Sequence, residues 1–363
     1  MRIPLILHPI IDAFIFFTNY LFTIMRYKLL SLCAGLLLAG VFFTSCNKDS
    51  GLTNPTLPMK AGGGGGTANP AIAYINSTTS GGHTYSTIGV MDTTGANAMD
   101  IVTASFNTIQ GKFAHTSWNY SGSSITYGTY ETSSWAINAV DVSVNSQGKP
   151  VGSNVRTIYS LAASDSIRIL TGPAWCATSS TGEIAFTRLH TDQADYGVTD
   201  LCTISQSGGT PTVLASFKKL KGTVCLGLYE YPTWNSDDSK IAVLRQDTNN
   251  HYTIVIFNAS TGAALDSIPV SSACRDLEWS RSGTDELVYS NSNGSAYVIS
   301  YVTPSTGSTP STNSIAGTYP TWSPNNSGIM FRPASGAMEK LVPYTTSTTT
   351  VGSSSYSDLN WKR

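Results

Sequence analysis

Six tryptophans recur in matching surroundings along this chain of 363 residues, and no other feature limits its fold as strongly. They are Trp118 (after His-Thr-Ser), Trp175 (Gly-Pro-Ala), Trp234 (Tyr-Pro-Thr), Trp279 (Asp-Leu-Glu), Trp322 (Tyr-Pro-Thr) and Trp361 (Asp-Leu-Asn), at spacings of 57, 59, 45, 43 and 39 residues. Each of the first five is followed by a polar turn and then an apolar, β-prone run: Ile125-Thr126-Tyr127, Ile184-Ala185-Phe186, Ile241-Ala242-Val243, Leu287-Val288-Tyr289 and Ile329-Met330-Phe331. A longer alternating strand, a turn and a short strand complete each unit. Four strands joined by tight turns cannot bury both faces alone, and stacking such units about an axis does so. The prediction is an all-β, six-bladed β-propeller of four-stranded antiparallel blades; the alternative is a β-sandwich whose tryptophans mark separate core positions. The two ends favour the ring. Ile72-Ala73-Tyr74-Ile75 reads as the second strand of a unit without its own tryptophan strand, and Asp358 to Trp361 as a tryptophan strand with no unit after it. Pairing the C-terminal strand with the N-terminal blade would close the ring and remove most exposed edges. With 12% charged residues and 32 glycines, polarity comes from Ser, Thr and Asn, a mixture suited to strands and turns.

The segment Tyr319-Pro320-Thr321-Trp322-Ser323-Pro324-Asn325-Asn326-Ser327-Gly328-Ile329-Met330-Phe331 resembles the repeat of TolB-type β-propellers with WD-like repeats, which runs Pro-x-Trp-Ser-Pro-Asp-Gly before an Ile-Ala-Phe strand. Pro173 and Pro232 stand where Pro320 does, while the units around Trp118 and Trp279 lack the proline, and the Asp-Gly turn is eroded in every copy. The resemblance covers about residues 70 to 363. It implies a propeller fold and partners in the cell envelope, without a residue-level match to any partner-binding segment.

Ahead of the repeats, residues 1–45 read as a signal region. From Met25 the chain shows Arg26 and Lys28, an apolar run from Leu29 to Phe43, and then Thr44-Ser45-Cys46. A cysteine directly after small residues resembles the lipobox of bacterial lipoproteins, which implies acylation of Cys46. Translation is expected to begin at Met25; the competing reading makes Met1 to Ile24 a further membrane segment. Asn47-Lys48-Asp49 resembles the export tags of surface lipoproteins in the Bacteroidota. Residues 46–69, with five consecutive glycines from Gly62 to Gly66, read as the lipidated cysteine and a flexible tether, and residues 70–363 as the propeller. The expected location is the cell envelope, anchored by lipid to the outer membrane, on either its periplasmic or its surface side. A net charge of −1 offers no footprint for a nucleic-acid backbone.

If the tryptophan strand is innermost, the loops joining second to third strands share one face with the loops leading into each tryptophan strand. That face carries the length, at Arg188 to Thr199 and Phe217 to Glu230, and the chemistry. The candidates there are His83, His190 and His251 between second and third strands, His115 just before a tryptophan strand, and the aromatics Trp135, Tyr196, Tyr229, Tyr231 and Tyr252. Asp192 and Asp195 are candidates for a cation, and Arg188 and Arg245, with Arg332 nearly equivalent, for a carboxylate or sulfate. The histidines are spread over four units and no local ligand spacing supports a metal, so neither metal nor cofactor is expected. Cys176, Cys202, Cys225 and Cys274 allow three disulfide pairings or buried thiols.

No Gly-x-Ser-x-Gly elbow is present. The expectation is therefore a membrane-anchored, non-catalytic propeller that binds an envelope protein or a glycan through its longer-looped face. The alternative is a carbohydrate-active enzyme or sugar-binding accessory that uses the propeller funnel.

Overall fold

The computed structural model describes residues 69–362 except 108–111, 131–134, 162–166, 179–181, 193–195, 219–229, 248–250, 271–272, 282, 294–295, 306–308 and 353–355. The readings made of the signal region, Cys46 and the tether up to residue 68 lie outside the described residues. So do those of Asp195, Cys225 and Tyr229.

The described residues form antiparallel strands and no helix, in four-stranded sheets arranged as a propeller. The first sheet contains β1 (Ile72–Ser80), β2 (His83–Met91) and β3 (Met99–Phe106). The second is β4 (Lys112–Trp118), β5 (Ser124–Tyr130), β6 (Trp135–Val144) and β7 (Pro150–Leu161). The third is β8 (Ile167–Trp175), β9 (Glu183–Asp192), β10 (Tyr196–Ser205) and β11 (Thr212–Lys218). The fourth is β12 (Glu230–Trp234), β13 (Lys240–Gln246), β14 (Tyr252–Asn258) and β15 (Ala264–Val270). Then follow β16 (Cys274–Trp279), β17 (Leu287–Ser292), β18 (Tyr297–Val302), β19 (Ser311–Trp322), β20 (Ile329–Pro333), β21 (Met338–Leu341) and β22 (Thr348–Gly352). The last strand, β23 (Ser357–Trp361), joins the first sheet by pairing with β1, Ile72 opposite Trp361 and Ala73 opposite Asn360.

Four sheets are separate and four-stranded, not the six predicted, and β16 to β22 make one continuous seven-stranded sheet. The reason is β19, a strand of 12 residues. Ser311, Thr312 and Ala316 pair with β18, whereas Gly317, Thr318, Thr321 and Trp322 pair with β20. The outer strand of one repeat thus runs without a turn into the tryptophan strand of the next.

Each tryptophan ends its strand inside the core. Trp118, Trp175, Trp279 and Trp322 are only 1% exposed. Taking ~200 Å² of aromatic surface out of water contributes about 5 kcal/mol. That exceeds the ~1–3 kcal/mol cost of an unmade hydrogen bond at the indole N–H of Trp118, Trp279 and Trp322. The polar residue after the tryptophan shapes the turn. Asn119 Oδ1 accepts from the Ser124 N–H, Asn235 Oδ1 from Lys240, Ser280 Oγ from Glu286 and Ser323 Oγ from Gly328.

The residue before the tryptophan stitches one tryptophan strand to the next. The Trp175 N–H donates to Ser117 Oγ (2.9 Å), Trp279 to Thr233 Oγ1 (3.2 Å), Trp322 to Glu278 Oε2 (3.0 Å) and Trp361 to Thr321 Oγ1 (3.0 Å). The Trp118 N–H donates to Asn360 Oδ1 of β23 at 3.1 Å. Ala174 has no side-chain acceptor, and there Trp234 Nε1 donates to its carbonyl at 3.0 Å.

Candidate functional site

A second regularity lies three residues before each tryptophan. His115, Gly172, Asp276, Tyr319 and Asp358 all have a left-handed φ, between 49° and 56°. Every one of these strands has a register shift at that point. Left-handed backbone is uncommon outside glycine, and most of all for a bulky residue such as Tyr319. Repeated at one position, it is a bulge that re-aims a side chain. The result is a cavity of about 80 Å³ lined by residues of all six tryptophan strands, including His115, Asp276, Tyr319 and Asp358. At ~10–15 Å³ per water position it has room for several waters.

The side chains in this cavity are strongly coupled. Asp276 is buried, with its side chain 4% exposed. Its Oδ2 accepts from Ser290 Oγ and from the Tyr319 N–H, both at 3.1 Å, and lies 3.6 Å from Arg275 Nε. Its Oδ1 is buried without a hydrogen-bond partner. Arg275 stacks on Tyr297, its guanidinium carbon 3.7 Å from the ring centre. Asp358 Oδ1 lies 3.3 Å from His115 Nδ1. Loss of hydration, more than any neighbouring charge, pushes the Asp276 and Asp358 carboxyls up to about 6 and the His115 imidazole down to about 4. At pH 7 this leaves a neutral imidazole beside two carboxylates. Glu278 is neutralised by Arg281 and also accepts the Trp322 N–H.

His115, expected ahead of a tryptophan strand, lies within β4 and lines the cavity. His83 and His251 are exposed at hairpin ends, His251 Nδ1 being 3.0 Å from Asp247. The structure does not bring these two to His115. The expected loop from Arg188 to Thr199 is instead an extended hairpin, β9 and β10 pairing as far as Asp192 and Tyr196. Arg188 lies opposite Asp200 in that pairing, and its Nε donates to Oδ2 at 2.9 Å. This guanidinium is thus held in the sheet by a carboxylate only 3% exposed. Arg245 is exposed and lies over the Phe217 ring at 5.0 Å, and Arg332 faces Thr318.

Trp135, a candidate on the longer-looped face, is half-buried edge-on to Tyr130 at 4.0 Å, and Tyr252 packs against the core. His190, Asp192, Tyr196 and Tyr231 lie in strands, with side chains outside the described set. Cys176, Cys202 and Cys274 are buried, and burial pushes the Cys202 thiol up to about 12. Among the described residues no three His, Cys, Asp or Glu side chains gather closely enough to hold a metal ion. Loop length gives no sign of Asp276, Tyr319 and Asp358, which lie within strands. The signal was the column three before each tryptophan.

No family model matches the chain, and no curated protein does. Among solved structures, TolB from Acinetobacter baumannii superposes with a TM-score of 0.58 at 14% identity, over 82% of this chain and 67% of that one. A putative TolB from Agrobacterium tumefaciens gives 0.47 at 12% identity, over 79% and 89%. A putative 6-phosphogluconolactonase from Bacteroides fragilis gives 0.46 at 11%, over 82% and 98%. The likeness to TolB is one of fold: the chain is a β-propeller with TolB-like structural neighbours.

Proposed function

We propose that this chain is a lipid-anchored propeller of the cell envelope that acts as a non-catalytic binding module for a protein or glycan. In this reading the seven-stranded sheet serves as two blades sharing β19, and β23 closes a ring of six. The cycle of donors from each tryptophan to the preceding tryptophan strand, through the backbone N–H in five and the indole of Trp234 in the sixth, returning from Trp118 to Asn360, supports it. The signal layout ending at Cys46 supports the anchor.

The observation that carries the binding role is the axial cavity. Six strands converge on it and five described bulges point residues toward it, yet its volume of about 80 Å³ falls well short of the ~300–1,000 Å³ that encloses a small-molecule substrate. A space of that size suits a group protruding from a larger partner. A sugar-binding role, on an accessory or an enzyme, is the second reading, favoured by the half-buried Tyr130–Trp135 pair on which a sugar ring could stack.

Cross-linking in the native cell tests the module. A photoreactive residue at Lys112, exposed at the start of β4, is expected to capture one envelope protein, while one at Tyr120, 57% exposed beyond the strand's far end, captures none. Capture from Tyr120 alone, or from neither, would overturn the reading.

A further inference from the structure

We propose that the axial cavity seats the protonated amine of a lysine side chain presented by a protein partner, with Asp276 Oδ1 as principal acceptor and Asp358 beside it. This rests on the binding-module reading and narrows its ligand to a polypeptide.

Asp276 is the reason. One carboxylate oxygen accepts from Ser290 and Tyr319 with the Arg275 guanidinium 3.6 Å away, and the other is buried with no partner in the protein. An ionised acceptor left unmade in a buried site is costly, so a donor entering the cavity gains that missing bond. Of the protein's own cations, Lys112, whose charge reaches Asp358, is exposed at the start of β4. Arg281 is tied to Glu278, and Arg275 lies on the Oδ2 side against Tyr297. Asp276 and Asp358 each raise the other's energy when both are ionised, which a cation between them relieves.

Size and wall select the kind of cation. Pro173, Pro232, Pro320, Leu277 and Leu359 supply the apolar part of the lining, a surface for methylenes, beside polar residues that include Ser117, Thr233 and Asn360. A lysine stem packs on such a surface with its charge at the far end. A pyranose brings several hydroxyls, whereas the lining oxygens of Ser117, Thr233 and Asn360 already accept from tryptophan N–H groups. Calcium asks for six to eight oxygens, more than these two carboxylates supply, whereas an ammonium has three donors to place.

Binding to the intact folded protein is measured by NMR titration with n-butylammonium, its neutral N-acetyl analogue, Nα-acetyl-lysine methylamide and glucosamine. Saturable binding is expected for butylammonium and the lysine derivative only, weakened about tenfold or more by Asp276→Asn. Should that variant fail to fold, Asp358→Asn is titrated instead, and methyl-, ethyl- and butylammonium are compared on the unaltered protein, affinity rising with stem length. No saturable binding of butylammonium, equal binding of the acetyl analogue, or unchanged affinity in the variants would overturn the proposal. Binding of glucosamine without the lysine derivative would do so as well and would point to a glycan. Capture of an envelope protein at Lys112 while the amines fail to bind would leave the module standing and remove only its lysine ligand.

Discussion

Deleting residues 357–363 removes β23 and is the sharpest perturbation of the proposed ring. Trp361 and Leu359 are 4% and 6% exposed. Losing them costs about 3–5 kcal/mol for the tryptophan and about 2–5 kcal/mol for the leucine. The Trp118 N–H loses Asn360 and is left unpaired in the core, about 1–3 kcal/mol more. Thr116 Oγ1 also loses the Asp358 carbonyl, and β1 becomes an open edge. The total, roughly 6–13 kcal/mol, is comparable with the ~5–15 kcal/mol that holds a whole domain folded. The truncated chain is therefore expected to lose cooperative urea unfolding, followed by tryptophan fluorescence. A synthetic peptide of residues 356–363 added in trans is expected to restore part of it. Asn360→Ala isolates the stitch and is expected to cost about 1–3 kcal/mol at an unchanged denaturant slope. If the truncated chain unfolds within about 2 kcal/mol of the parent, the last strand is an ornament on the first sheet and the ring argument fails.

Arg188→Ala is expected to destabilise the fold by about 3–5 kcal/mol, because it takes the cation from the buried Asp200 carboxylate while the Ser216 hydroxyl bond remains; chemical denaturation measures this, and a loss under about 1 kcal/mol would show that the ion pair is solvated. For pH, the Asp276 carboxyl titrates at about 6 in the folded state against 3.8 normally. Folding then takes up a proton between pH 4 and 6, and this group's contribution to stability falls as pH rises through that window. His115, lowered to about 4, works in the opposite sense between pH 4 and 6.5. Asp276→Asn should therefore gain on the parent by up to about 3 kcal/mol between pH 4 and 7, read from urea midpoints at each pH; a constant difference would refute the shift.

The parts legible in the sequence were those whose cause is local. A tryptophan, a polar turn residue and an apolar β-prone run are read in order, and the Asn or Ser after Trp118, Trp234, Trp279 and Trp322 folds its own turn. The strand opening at Ile72 and the one ending at Trp361 were likewise visible as fragments of a unit, and they pair. The site was legible only in hindsight. Asp276, Tyr319 and Asp358 stand in one column of the repeat, but a column becomes a cavity only when six strands meet and the five described bulges turn residues inward. Arg188 looked like a ligand grip because its position repeats in Arg245. Its partner Asp200 lies on the neighbouring strand, across a hairpin that was read as a loop.

By itself, then, the order of residues determined an all-β chain of repeated units, because strand alternation, turn chemistry and aromatic anchors act over a few residues. The tertiary structure decided how many sheets are separate, which guanidinium is already neutralised, and which carboxylate oxygen is buried without a donor. Those outcomes depend on groups distant in sequence competing for the same partners, and on how much water the surrounding strands exclude from them.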